Sequence, residues 1–420
     1  MSVNRFAVVA STARRLDVLI LTAFIWFFGK FLRYVFPPLF ESLQVTYTVS
    51  TTALGWTFSA FLFAYAAVQF PSGVLSDKFG AVPVITGGIM LSSIAAVSLF
   101  ATVPFSIFVI VMLVLGLGTG LHKTAAVQLL SKVYPAQTGR VLGVFDTFGT
   151  FGGVIAPIAV VVAANWVGSR PGWQIMMLGL GLLGFVFSVS FLIHVPKRLQ
   201  ASETQTESTT ASGESGLDDD VERHWKSYFE TFYNHQFSVF VAASICFSFA
   251  YYGIVSFLPL YLTQEARVSS VSAGTLYSVF FVVSLVQIVS GDLSDRIGTL
   301  PVILAALSLS AVSLAGFILT TGGNIFVLAV AVVCIGLGVH SFRPVRAAYL
   351  MQILPERIAA GSFGIVRTLL MLSGAVSPGI IGTLSDRVGF RIAFWILTFS
   401  MVAAAGLILL LMWRINPASN

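Results

Sequence analysis

Apolar runs of about 20 residues, the length a helix needs to cross the hydrocarbon of a bilayer, follow one another along nearly the whole chain. No other feature narrows the possible folds so far. Of the 420 residues 57% are hydrophobic and 10% charged, and mean hydropathy is +0.92, so water is not the solvent for most of the chain. The runs predict helical spans over 16–40, 51–75, 83–103, 104–130, 139–164 and 173–194, then 236–262, 271–291, 300–320, 325–350, 361–385 and 391–413. The predicted class is an all-α, multi-pass protein of the cell membrane with twelve transmembrane helices. Residues 1–15 and 414–420 are left as tails, and 195–235 separates a six-helix segment over 16–194 from a second over 236–413. Ala201 to Val221 is rich in Ser, Thr, Glu, Asp and Gly and ends in Asp218-Asp219-Asp220, the composition of a partly disordered linker. His224 to Gln236 carries Trp225, Tyr228, Phe229, Phe232 and Tyr233, as an amphipathic helix lying on a membrane would.

The net charge of +6 points to no nucleic-acid partner, because no Lys/Arg cluster is long enough to form a phosphate-binding face. The bases instead gather at span ends. With both termini cytoplasmic, thirteen of them (Arg5, Arg14, Arg15, Lys78, Lys132, Arg140, Lys197, Arg198, Arg223, Lys226, Arg296, Arg357 and Arg414) lie inside. Only Arg170, Arg267, Arg387 and Arg391 then lie outside, the asymmetry expected of this orientation. Arg14-Arg15 before an apolar run imitates a signal peptide, but the run continues to about Phe40 through Lys30 and Arg33 and reads as a retained span. Cys246 and Cys334 fall within spans and imply no disulfide scaffold.

One loop recurs. Gly73-Val-Leu-Ser-Asp77-Lys78-Phe-Gly80 returns 218 residues later as Gly291-Asp-Leu-Ser-Asp295-Arg296-Ile-Gly298, each copy between two spans. A third copy, Gly382-Thr-Leu-Ser-Asp386-Arg387-Val-Gly389, follows the eleventh span on the opposite side. The halves match further, with Phe36-Pro-Pro38 answering Phe257-Leu-Pro259, Gly116-Leu-Gly118 answering Gly336-Leu-Gly338, and Gly143, Gly153 and Pro157 answering Gly364, Gly374 and Pro378. This pattern resembles the signature loop of the major facilitator superfamily. The resemblance covers the chain apart from its tails and linker and implies two pseudo-symmetric six-helix bundles working by alternating access. It also implies that Gly73, Asp77, Lys78 and Gly80, with Gly291, Asp295, Arg296 and Gly298, form a conformational latch on the cytoplasmic side. A carboxylate placed at a facing helix N-terminus would supply the attraction; a topology signal with a tight Gly turn is the plainer reading. Gly149-x-x-x-Gly153-x-x-x-Pro157 is similar to the superfamily's exporter motif but lacks its Gly-Pro pair, and assigns no direction.

Charge within spans bears on the solute, since an ionised side chain at the bilayer centre costs on the order of 3 kcal/mol and needs a cavity or a partner. The interior charges are Lys30, Arg33, Lys123, Asp146, Arg343, Arg346 and Arg367, six bases against one acid. Lys123 aligns with Arg343 and Asp146 with Arg367 across the repeat, so a Lys123–Asp146 pair in the first half has two arginines in its place in the second. Lys30, Arg33, Lys123, Arg343 and Arg367 are therefore the candidate ligands of an anion, and Asp146, His122 and His340 the candidates for a coupling proton or an internal ion pair. Snorkelling of long basic stems competes with this reading, most of all for Arg346 near a span end. A buried histidine is also a common helix–helix hydrogen-bond partner.

The function read from these residues is secondary transport of a small anionic solute by a monomer in the bilayer, with a proton or counter-ion as coupling partner and no cofactor or metal. A proton-coupled exporter of drugs or lipophilic cations is the alternative, though it would want interior acids. A sensor that keeps the fold is a further one, with neither linker nor tails supplying a signalling domain. No second interior acid pairs with Asp146 to make an enzyme, and no His-x-x-x-His pair or nucleophile arrangement occurs. The orientation has a direct test. A cysteine at Ser212 is expected to react only with a cytoplasmic reagent and one at Ser269 only with an external one, and the reverse pattern would overturn it.

Overall fold

Backbone in hydrocarbon must satisfy its own hydrogen bonds, which leaves helices or closed barrels. The structure, a computed structural model, describes residues 2–166, 168–203, 233–354 and 359–415. Among these residues there is no strand. The helices are α1 (Ser2–Tyr34), α2 (Phe36–Tyr47), α3 (Thr51–Phe79), α4 (Ala81–Ser98), α5 (Phe105–Val133), α6 (Thr138–Ala164) and α7 (Gly172–Glu203). They continue as α8 (His235–Gln264), α9 (Ser270–Val282), α10 (Val286–Ile297), α11 (Thr299–Leu319), α12 (Ile325–Ile353), α13 (Ala359–Val388) and α14 (Phe390–Ile415). Short 3₁₀ turns precede α6 and join α9 to α10. Eleven spans among the described residues are long and apolar enough to cross a membrane, with α9 to α10 taken as one, or twelve with the bent pair α1 and α2.

That bent pair departs from the uninterrupted span 16–40. The chain turns by 43° between Tyr34 and Phe36, and α2 continues to Tyr47. Pro37 and Pro38 have no N–H to donate to the preceding turn, so the ladder breaks there, and both fit the first turn of a new helix. The matching segment of α8 has the single Pro259 and stays one helix. The first helix begins at Ser2 rather than after a tail, and α7 runs nine residues past the expected end at 194. The linker from 204 and the aromatic stretch to Phe232 lie outside the described residues. Side-chain caps mark several starts: Ser50 accepts from the N–H of Ala53, Asn234 from the N–H groups of Gln236 and Phe237, Ser269 from Ser272, and Asn324 from Phe326.

The chain divides into two compact units. The first comprises residues 1–39 and 60–212, the second 40–59 and 213–420, so residues 40–59 join the C-terminal helices. Within the first unit α4 packs on α5 and α7, and α1 on α6. Within the second α11 packs on α12 and α14, and α8 on α13. These are the same pairings one repeat apart. The α4–α5 and α11–α12 pairs rest on a small residue at the same place: a Cβ on Gly118 would overlap Ser92 and the Gly88 carbonyl, and one on Gly338 would overlap Ser310 and the Ala306 carbonyl. Without hydrocarbon-driven burial between helices, such close approach supplies much of the packing energy. The signature loops repeat as geometry too. Their last glycines, Gly80, Gly298 and Gly389, take φ of 87°, 93° and 90°, a region closed to side-chain-bearing residues at reasonable cost.

Gly338→Ala must push a backbone carbonyl aside and is expected to destabilise the second unit by about 1–3 kcal/mol. Gly316→Ala on α11 meets nothing within 4 Å and is expected to be neutral or slightly stabilising. Thermal unfolding of the purified variants in detergent separates the two.

Candidate functional site

The first unit gathers its interior charges around one indole. Trp26 on α1 lies across Gly149 of α6, where any Cβ would overlap the ring, and stacks on Phe145 with centroids 5.6 Å apart. Lys123, from α5, places Nζ 4.2 Å from the Trp26 ring centroid and 4.8 Å from that of Phe145. The same ammonium donates to Asp146 Oδ1 on α6 at 2.5 Å. The lysine side chain is 12% exposed and the carboxylate 61%, so the acid is the open end of the pair. Two π faces and one carboxylate replace the water that the ammonium has lost.

Lys30, one turn beyond Trp26 on the same face of α1, holds Nζ 5.2 Å from the Trp26 ring and 5.9 Å from that of Tyr34. Arg33 is 6% exposed, and its guanidinium lies 3.7 Å over the Tyr65 ring of α3. A guanidinium stacked inside the unit is not one that reaches along its stem to the headgroups. His122 is 2% exposed beside Trp26, in a space kept open by Gly29, whose Cβ would collide with the imidazole. The charges of Arg33 and Lys123 both act on it.

The second unit carries arginines where the first carries the pair. Arg343 on α12 lies with its guanidinium carbon 5.5 Å from the Tyr251 ring of α8, and Arg346, one turn on, lies 5.8 Å from Phe342. Arg343 and Arg367, the latter exposed on α13, are both close enough to Arg346 to act on it electrostatically, as is Tyr252. Tyr252 covers Gly374 of α13 as Trp26 covers Gly149. His340 is 1% exposed among the rings of Tyr251, Phe280 and Phe281, with centroids 5.0–6.3 Å away.

The signature residues sit at the ends of α3 and α10. Asp77 accepts a hydrogen bond from Gln128 of α5, and Lys78 rests over the ring of Phe79. Arg296 pairs with Asp292 at 2.8 Å, while Asp295 is exposed. Gly73 lies inside α3 and Gly291 inside α10, and Gly80 and Gly298 form the turns already described. No group of three or more His, Cys, Asp or Glu side chains suited to a metal occurs among the described residues.

Sequence reasoning named the cations and passed over the rings beneath them. Trp26, Lys30 and Arg33 stand at i, i+4 and i+7, one face of a helix, so an aromatic beside two interior bases was a readable signal. Tyr65 and Phe145 come from other helices and had no such signal.

The chain as a whole is similar to membrane transporters. The family model described as Major Facilitator Superfamily matches residues 18–323 and 268–420. The "Hexuronate transporter" of Bacillus subtilis (strain 168) is 23% identical over 365 residues, 83% of this chain and 82% of that protein. The "Probable sulfoacetate transporter SauU" of Cupriavidus necator is 28% identical over 356 residues, 81% and 80% of the two chains. The "Ectoine/proline transporter ProP" of Corynebacterium glutamicum is 23% identical over 420 residues, 90% and 81%. In three dimensions the chain is similar to a bacterial homolog of the human lysosomal transporter Spinster, with a TM-score of 0.76 at 15% identity over 95% of this chain and 97% of that one.

Proposed function

The chain belongs to the major facilitator superfamily, and we propose that the solute it carries across the membrane is a small organic anion, moved by alternating access in a monomer. The observation that carries this reading is the grouping of Arg343, Arg346 and Arg367 on α12 and α13 of the second unit. Three guanidiniums in one field repel one another, and a bound anion would lower that repulsion. Arginine grips a carboxylate or sulfonate through two parallel hydrogen bonds, so Arg343 and Arg367 act as the principal ligands. In the first unit Lys30, Arg33 and Lys123 are the corresponding candidate ligands, Lys123 once Asp146 gives it up. Two relatives are named for anions, hexuronate and sulfoacetate, which agrees in sign.

Asp146 and Lys123 form the coupling element in this reading. Protonating the exposed carboxylate releases the ammonium for the solute, which would link proton and anion uptake. His122, beside Trp26, and His340, among three rings, serve as packing partners within their units. A carrier of lipophilic cations would need interior acid to spare, and the Asp146 carboxylate is already engaged by Lys123.

The test is ligand-dependent thermal stabilisation of the purified protein, which follows occupancy of the folded state. Hexuronate, sulfoacetate and inorganic phosphate are compared with proline and with a cationic drug. Stabilisation by one of the anions alone is expected. Arg343→Lys and Arg367→Lys keep the charge and lose a charged hydrogen bond worth about 1.5–3 kcal/mol, so each is expected to weaken that anion's affinity at least ~10-fold. Wild-type affinity in both variants would remove them from the site. Asp146→Asn is expected to tighten anion binding by freeing Lys123 while abolishing uphill transport and sparing exchange.

A further inference from the structure

Several bases at span ends have acceptors close by. Arg170 donates to the Phe100 carbonyl at 2.9 Å, Arg391 to that of Ile318 at 3.3 Å, and Arg296 pairs with Asp292. Arg414, in the last turn of α14, is met instead by a second base. Its Nη1 donates to Nε2 of His235, the first residue of α8, at 2.6 Å. A guanidinium cannot accept, so Nε2 is the acceptor and the imidazole proton lies on Nδ1. Both residues are exposed, and among the described residues neither has an acidic partner. A base in the last turn complements the helix dipole, which explains Arg414 but not the imidazole beside it.

What the pair presents is donors: the remaining guanidinium N–H groups and the imidazole Nδ1–H. Because α8 begins at the same point, the positive end of its dipole adds to the field, although Asn234 already takes the N–H groups of Gln236 and Phe237. The surroundings fix the depth. Tyr233 and Trp413 flank the pair in sequence and are 88% and 71% exposed, as aromatic rings at a bilayer surface are. Trp413 also ends an apolar stripe. Phe399, Val402, Leu409 and Trp413 are exposed at helical spacing on one face of α14, and Leu410 and Arg414, one turn apart, run along its edge. On a spanning helix that face meets acyl chains, so a lipid lying along it brings its headgroup to Arg414 and His235.

We infer that Arg414 and His235 form a binding site for the phosphate of an anionic glycerophospholipid, whose acyl chain lies along the Phe399–Trp413 face of α14. With Nη1 given to His235, the Nε–Nη2 edge of the guanidinium remains for two phosphate oxygens, and the imidazole Nδ1–H offers a third hydrogen bond. The phosphate then ties the start of α8 to the end of α14, both in the second unit. Charge selects the headgroup, since a choline or ethanolamine would bring its own cation to the arginine. The inference does not depend on the identity or charge of the solute.

The test reads tryptophan fluorescence of the full chain in vesicles containing brominated lipid, whose bromines quench only the rings they approach. Subtracting the signal of Trp413→Phe isolates Trp413. Brominated phosphatidylglycerol and brominated phosphatidylcholine with the same chains are compared at fixed ionic strength. In the wild type, phosphatidylglycerol is expected to be preferred at Trp413 on the order of fivefold, the effect of one base at an anionic surface. Arg414→Gln is expected to bring the preference close to unity and His235→Leu to lower it. Arg391→Gln, which removes the same charge at the other end of α14, is expected to leave it unchanged. Equal quenching by the two lipids in the wild type would overturn the site, as would an unchanged preference in either Arg414→Gln or His235→Leu. A fall of the same size in Arg391→Gln would also overturn it, since net charge would then suffice. A preference abolished by inorganic phosphate would give the pair to a free anion and overturn the lipid. If Arg414→Gln gives no monodisperse protein, His235→Leu decides by the same criteria.

Discussion

A cation that has left water must find its solvation in the protein, and most of what is specific to this chain follows from how that is done. The first unit uses π faces. Lys123 is held between Trp26 and Phe145 and bonded to Asp146, Lys30 shares the Trp26 ring, and Arg33 lies flat on Tyr65. A ring costs nothing to desolvate and still attracts charge through its quadrupole, so it can hold a base at depth without neutralising it. That distinction matters for a transporter. Bases buried by carboxylates would be spent, whereas bases buried on rings keep their potential.

The two units solve the same packing problem with different chemistry on top. The pairings α4 with α5 and α7, and α11 with α12 and α14, recur, and Gly118 and Gly338 meet Ser92 and Ser310 in matching ways. At the aligned interior positions the ion pair Lys123–Asp146 is answered by Arg343 and Arg367. Helix–helix contacts in a bilayer are set by small residues and close backbone approach, so a duplicated scaffold tolerates divergence wherever side chains face away from those contacts.

The signature loop shows how one local structure can take several roles. Its final glycine adopts the same positive φ in all three copies, because the turn between two helices demands it. What the acid touches differs each time. Asp77 meets Gln128, Asp295 is exposed, and Asp386 meets the start of α3. The turn is local and repeats with the sequence, while the acid's partner depends on which helix end stands opposite.

The sequence by itself determined the solvent, the number and order of the spans, the six-plus-six repeat, the glycine turns and the surplus of interior base. All of these are written in composition and spacing, which act over one or two helix turns and need no knowledge of the partner. It also offered Lys123 and Asp146 as a pair through equal depth on adjacent helices. It treated the Phe36-Pro37-Pro38 stretch as part of one span, where two successive missing N–H groups break the helix. Only the tertiary structure decided which rings lie under which cations, that residues 40–59 belong with the C-terminal helices, and that Asp386 is the acid of its motif that caps a distant helix. Tyr65 and Phe145 reach their cations from α3 and α6, and Thr51 stands 335 residues from Asp386. Contacts of that separation are fixed by how helices pack against each other, and helical periodicity records which face is buried but not what buries it.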